Sequence, residues 1–165
     1  MISKKMAKAI NDQINREFYS AYLYLAMSSD AMDKGFKGAA HWFMVQFREE
    51  QGHALKFAKY LQEQGAKVEL AKIDEPRQSW DDLLDMFKDT LVHEKKVTAW
   101  INELMDLAVA QKDHATQGVL RWFVDEQVEE EGNDTEIIWM LEMSAGSKGA
   151  LFMADRQLGK RGGES

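Results

Sequence analysis

The 165-residue chain has no cysteine and only one proline, Pro76. Without thiols it can build no disulfide framework, no thiolate zinc site and no cysteine-ligated iron–sulfur cluster. It has no apolar run long enough to span a membrane. Its first residues, Met1 to Met6, form no apolar signal core and lead straight into an amphipathic pattern. No membrane association is expected, and the expected location is cytoplasmic. Positive charge is also scarce: 21 Lys and Arg stand against 28 Asp and Glu, a formal net charge of −7. That argues against a nucleic-acid surface and favours cationic partners, although solubility alone accounts for an acidic chain equally well.

What is present is a core. Hydrophobic residues make up 45% of the chain, and the length fits a single domain over residues 1–165. The periodicity is helical almost throughout and no strand pattern occurs. Ser3 can cap a first helix running to about Asp33 before Gly35, and a second runs from about Gly38 to Gln64 before Gly65. Residues 66–78, which contain Pro76, lack helical patterning and read as a long connection. Ser79, followed by Trp80, Asp81 and Asp82, is expected to open a third helix lasting to about Gln111. Asp113 caps a fourth, ending near Ser144, and Ser147 a short fifth, stopped by Gly159. The tail from about Lys160 reads as frayed. Two short connections around a long one describe two helical hairpins. The fold class is therefore all-α: a four-helix bundle with one crossover connection and a short fifth helix.

Carboxylates fall where this bundle should have its core. On the first helix Ile10, Ile14, Glu17, Ala21, Tyr24 and Ser28 share one face. On the third, Leu84, Phe87, Leu91, Glu94, Ile101 and Leu104 do the same. The second helix places Glu50 and His53 among Phe43, Phe47, Phe57 and Leu61. The fourth places Gln127 and Glu130 among Leu120, Phe123, Ile137 and Leu141. Residues three apart on a helix project together, so each pair can grip one centre. An ionised carboxylate inside a core is costly unless it is paired or bound to a metal.

The levels agree as well. The offset of 33 residues between Glu17 and Glu50 recurs between Glu94 and Gln127. Each cluster lies roughly 13–14 residues into its helix, about 20 Å along the axis, so all four meet at one height. Any one pair alone fits a solvated helix face just as well. Four matched clusters are what a shared metal site requires. The charges of Glu17, Glu50, Glu94 and Glu130 balance two divalent ions, with neutral His53 and Gln127 completing an oxygen-rich shell suited to iron or manganese.

The segments Asn15 to Tyr24, Glu49 to His53, His93 with Glu94, and Trp122 to Glu131 resemble the prokaryotic non-haem ferritins. The resemblance spans nearly the whole chain. It implies a di-iron ferroxidase centre, with one iron on Glu17, Glu50 and His53 and the other on Glu50, Glu94 and Glu130. Gln127 would lie near the bound oxygen, and Glu50 would bridge the metals. It further implies a third iron site on Glu49, Glu126, Glu129 and Glu130, and electron-supplying aromatic residues at Tyr24 and Trp122. The last two also fit as ordinary core aromatics, and the acidic trio as a solvated face. The implied substrates are Fe²⁺ with O₂ or peroxide. The implied assembly is a homo-oligomeric cage, usually of 24 subunits, around a ferric mineral core. No haem is expected, because Gln51 and Gly52 stand where bacterioferritins carry their haem-binding Met and the fourth helix offers Glu130 in place of a second His. The stretch from Gln117 to Arg121 lacks the acidic lining of animal ferritin channels, so the path iron takes into the cage is not legible.

Two other classes compete. A di-iron oxidase acting on an organic substrate would need a pocket at the centre, and a scaffold bundle would leave the four inward carboxylates unexplained. On the side of the first helix away from Glu17, Tyr19, Tyr22, Leu23 and Ala26 are expected to form a subunit contact, rimmed by Asp12, Arg16 and Asp30.

Overall fold

The computed structural model of the protein describes residues 1–162. Five helices follow one another: α1 Lys4–Asp33, α2 Lys37–Glu63, α3 Leu83–Ala110, α4 His114–Met143 and α5 Lys148–Leu158. Among the described residues there is no strand. The caps are those the sequence suggests for three helices. Ser3 Oγ accepts from the Met6 amide at 3.0 Å, Asp113 Oδ1 from Thr116 at 3.0 Å, and Ser147 Oγ from Ala150 at 3.2 Å. Gly35, Gly65 and Gly146 each take the left-handed conformation just past a helix end, where a side chain would be strained.

The third helix departs from expectation at its start. It opens at Leu83, not after Ser79, because Asp82 is the cap and accepts from the Asp85 amide at 2.8 Å. Trp80 is held outside the helix. Its amide donates to Asp30 at 3.0 Å and its indole N–H to Asp89 at 2.7 Å. The buried stripe of α3 consequently includes Leu83, Met86 and Thr90, while Leu84 and Leu91 are only half-buried. Phe87, Glu94, Ile101 and Leu104 lie in that stripe as expected.

The long connection is tied to the flank of α1. The Asn11 side chain accepts from the Glu69 amide at 2.8 Å and donates to Lys67 O at 3.1 Å, and Asn15 donates to Lys72 O at 3.0 Å. α1 packs along α2, α3 along α4, and α1 also meets α3. α2 meets α4 through Phe57, which stacks on Phe123 with centroids 3.9 Å apart.

The apolar core is divided. One cluster contains Tyr24, Met27, Phe43, Trp80 and Phe87. The other contains Met6, Ile10, Phe57, Ile101 and Phe123. Between them α1–α4 bury a band of polar side chains: Gln13, Glu17, Gln46, Glu50, His53, Glu94, Gln127, Glu130 and Asp134.

α5 lies against the start of α2, which has no side-chain cap of its own. Asp155 supplies one, accepting from the amides of Gly38 at 3.1 Å and Ala39 at 2.8 Å. The approach is so close that a Cβ on Gly38 would lie 1.7 Å from the Asp155 carbonyl oxygen, so only glycine fits there. This contact fixes where the chain goes after α5. Of the tail expected to fray, residues 163–165 lie outside the described residues, while the Arg161 guanidinium donates to Gln46 and Glu49 and stacks 4.3 Å over Trp42.

The contact patch expected on α1 is corrected. Leu23, its proposed centre, is only 4% exposed and belongs to the core cluster of Met27 and Trp80. Tyr19 and Ala26 are half-buried, and only Tyr22 stands out, at 49%. Asp30, read as rim, is a structural anchor that caps the Trp80 amide and pairs with Lys34 at 2.6 Å.

Candidate metal centre

Each of the four long helices delivers at least one acid to the polar band. Glu17 and Glu50, from α1 and α2, come together with His53. One ligand atom from each lies within 4.8 Å of the other two, and all three side chains are buried. His53 Nδ1 lies 3.3 Å from Glu50 Oε2. Two amides hold these carboxylates: Gln13 Nε2 donates to Glu17 at 2.7 Å and Gln46 Nε2 to Glu50 at 3.2 Å. Each glutamine stands four residues before its glutamate, so the side chains are neighbours on the helix surface.

The α3–α4 side is built differently. The Tyr24 hydroxyl donates to Glu94 Oε1, and Gln127 Nε2 donates to Glu94 Oε2 at 3.0 Å. Gln127 is further placed by the Glu94 carbonyl and Thr98 Oγ1, both at 3.3 Å. Glu130 is buried beside them. Four residues on, Asp134 is wholly buried with neither oxygen hydrogen-bonded.

Crowding acids into this band makes their ionisation hard. Burial, then the charge of Glu50, pushes the Glu17 carboxyl up to about 8. Burial, then Glu94 and Glu130, holds Glu50 well above the usual carboxylate range. Burial also raises Glu94, against hydrogen bonds from Tyr24 and Gln127. Burial, then Glu94, raises Glu130 to about 7 and Asp134 to about 9. His93, next to Glu94 in sequence, is not drawn into the acid cluster. Its Nε2 meets Ser20 Oγ at 2.8 Å, and burial, then Lys96, lowers it to about 4, so its ring is neutral. A buried group of acids that resists ionising alone can be neutralised by protons or by metal cations. The donor set of carboxylate oxygens with one imidazole suits iron or manganese.

The remaining residues singled out in the sequence lie around this group. Trp122 is half-buried, edge-on to His53 at 5.4 Å, with Lys56 Nζ 3.0 Å above its ring. Tyr24 touches the site directly through Glu94. Glu49 pairs with Arg161, Glu126 is half-buried and Glu129 is exposed, so the acidic trio is not gathered into one buried cluster. Sequence reasoning missed Gln13, Gln46, Asp134 and Arg161. A signal existed for three of them. The spacing Gln-x-x-x-Glu occurs at 13–17 and again at 46–50, and Asp134 continues the Gln127, Glu130 face. Arg161 had none.

A four-helix bundle with a polar waist of this composition defines the ferritin-like class. The Ferritin-like domain family matches residues 7–144, and the chain belongs to this family. Its relatives include a bacterial non-heme ferritin of Bacteroides fragilis (strain 638R), 42% identical over 161 residues, covering 98% of this chain and all of that one. Another, from Staphylococcus aureus (strain USA300), is 36% identical over 162 residues, 98% of this chain and 97% of that one. Among solved structures, an open pore ferritin from the hyperthermophilic archaeon Archaeoglobus fulgidus superposes with a TM-score of 0.97 at 42% identity, over 98% of this chain and all of that one. Among the described residues no helix is long and apolar enough to cross a membrane.

Proposed function

We propose that this ferritin stores iron by oxidising Fe²⁺ at the buried centre and depositing ferric oxyhydroxide inside a hollow homo-oligomer. The observation that carries the reading is the buried group of Glu17, Glu50 and His53 facing Glu94 and Glu130, in a chain of this family. Fe²⁺ is the substrate. One ion is held by Glu17, Glu50 and His53, and a second by Glu50, Glu94 and Glu130, so that Glu50 bridges them. Each ion gives up one electron, and the pair reduces one O₂ to hydrogen peroxide with two protons, or one peroxide to water. Gln127, whose amide nitrogen donates to Glu94 and Thr98, would lie near the oxidant. Tyr24, bonded to Glu94, and Trp122, against His53, are the oxidisable aromatic groups beside the pair. Ionising the acids as metal binds releases protons from Glu17 and Glu130, which are partly protonated near neutrality. Ferric product moves past Glu49, Glu126 and Glu129, the third site.

Self-assembly is supported by apolar side chains that a lone bundle would leave in water. Trp139 and Met143 at the end of α4, and Phe152 and Met153 on α5, are each at least 59% exposed. These residues replace the α1 patch as the proposed contact, with Tyr22 as the part of that patch still available. The 24-subunit cage is the assembly proposed.

Aerobic Fe²⁺ loading followed by gel filtration tests the whole reading. Storage retains many irons per subunit, an oxidase about two and a scaffold none. Sedimentation of the parent near its chain mass of 18.9 kDa would refute the cage.

A further inference from the structure

The α3–α4 side of the centre contains one acid that the proposed oxidation does not use. Asp134 follows Glu130 by four residues on α4, so the two carboxyls share a face about one helical turn apart. Asp134 is 0% exposed, and neither of its oxygens meets a donor. Buried carboxylates are ordinarily hydrogen-bonded or paired. The groups whose charge Asp134 feels most are themselves acids, Glu94 and Glu130. The Tyr24 hydroxyl is already given to Glu94.

The cation acting on Asp134 is Arg161, but its hydrogen bonds go elsewhere, to Gln46 at 2.6 Å and to Glu49. Arg161 and Trp42 also line a cavity of about 460 Å³. Asn133 and Ile137, which flank Asp134 on α4, line the same cavity. The cavity, Arg161 and Asp134 therefore lie at one level of the bundle, next to the acid centre. Charge balance points the same way. Glu17, Glu50, Glu94 and Glu130 match two divalent ions, while Asp134 is a fifth buried acid that those two ions leave unmatched.

We propose that Asp134 and Glu130 form a further divalent-cation position adjoining the paired site, and that the Arg161 guanidinium, held by Gln46 and Glu49, supplies the positive charge acting on Asp134 until an ion enters. The ligands are all oxygen, which suits Fe²⁺, Mn²⁺ or Mg²⁺ and tolerates Zn²⁺ as a redox-inert probe. The position differs from the third site in using Asp134, which is buried, in place of Glu126 and Glu129. It rests on the paired-site reading, because Glu130 is common to both.

The test is calorimetric titration of Zn²⁺ into the metal-stripped, assembled protein, comparing the parent with Asp134→Val, Arg161→Gln and Glu50→Ala. Asp134→Val is expected to lose one equivalent per subunit and keep the paired-site binding. Arg161→Gln is expected to tighten that same equivalent about tenfold by removing the positive charge that opposes a second cation beside Asp134. Unchanged stoichiometry and affinity in Asp134→Val, or no tightening in Arg161→Gln, would overturn the proposal. Melting separates ligation from mere burial. Asp134→Val should melt higher than the parent without metal, and that advantage should shrink or reverse in saturating Zn²⁺. An equal advantage in both conditions would show that Asp134 does not touch the ion. Where Asp134→Val does not assemble, Asp134→Asn gives the same count. Glu50→Ala keeps the two readings apart: unchanged tight binding there defeats the paired site, while the Asp134 comparison still reports on its own position.

Discussion

The two sides of the metal centre are built from equivalent helical hairpins but are not equally finished. On the α1–α2 side each acid has its own amide, Gln13 for Glu17 and Gln46 for Glu50, and His53 closes the group. On the α3–α4 side Tyr24 and Gln127 both serve Glu94, and Asp134 has no hydrogen-bond donor. On the first side the donors proposed to hold metal are already oriented by hydrogen bonds. On the second, Glu130 and Asp134, raised to about 7 and about 9, keep protons that a cation could replace. With the proposed function, the difference predicts an order of filling in which the Glu17, Glu50 and His53 position takes the first ion.

The largest expected effect tests whether the two sides form one site. Glu50→Ala should slow the fast phase of Fe²⁺ oxidation by about 100-fold or more, because it removes the ligand common to both ions. Glu94→Ala should also abolish fast oxidation yet leave one tight Zn²⁺ equivalent per subunit. Stopped-flow absorbance and calorimetry check the pair, and loss of all tight binding in Glu94→Ala would show that the first side is not independent.

Next in size is the response of stability to pH. Glu17 and Glu130 have folded-state values raised from 4.5 to about 8 and about 7. The metal-free folded protein therefore keeps protons that the unfolded chain gives up. Their stabilising contribution is complete below pH 4.5 and is lost as pH climbs to about 8. Metal replaces those protons, so the melting temperature in Zn²⁺ should gain most toward the upper end of that window. Thermal melts across the range with and without Zn²⁺ report this, and a metal-free protein that becomes more stable from pH 5 to 8 would contradict it.

A smaller effect should separate the sides by their supports. Gln13→Leu should weaken the first Zn²⁺ equivalent by roughly tenfold, because Glu17 loses its orienting donor. Tyr24→Phe should act on the second equivalent instead, and by less, since Gln127 still holds Glu94. Titrations showing both variants acting on the same equivalent would dissolve the distinction between the two sides.

The legible parts of the centre are those that helical periodicity fixes. Glu17, Glu50, His53, Glu94, Gln127 and Glu130 could be placed because each sits in an apolar stripe and the stripes share an offset. Asp134 was equally periodic but was passed over, since only the finished packing shows it to be without a donor. Leu23 was misplaced for a related reason. A helical wheel gives direction around one axis, whereas α1 is also flanked by the long connection and by Trp80, which turn a nominal outer face into core. The start of α3 shifted by three residues because Asp82 and Ser79 are both competent caps, and the tie from Trp80 to Asp30 selects between them.

By itself the sequence determined the number of helices, the level at which their acids meet and the oxygen-rich donor set. All of these follow from a repeat of about 3.6 residues per turn acting on local residue order. Only the tertiary structure decided which donors serve which acids, how far burial resists their ionisation, and that Arg161 comes back to the acids beside Gln46 and Glu49. Those depend on distances between segments far apart in the chain. Arg161 reaches Glu49 across 112 residues, and it does so because Gly38 lets α5 approach the start of α2 closely enough for Asp155 to cap it.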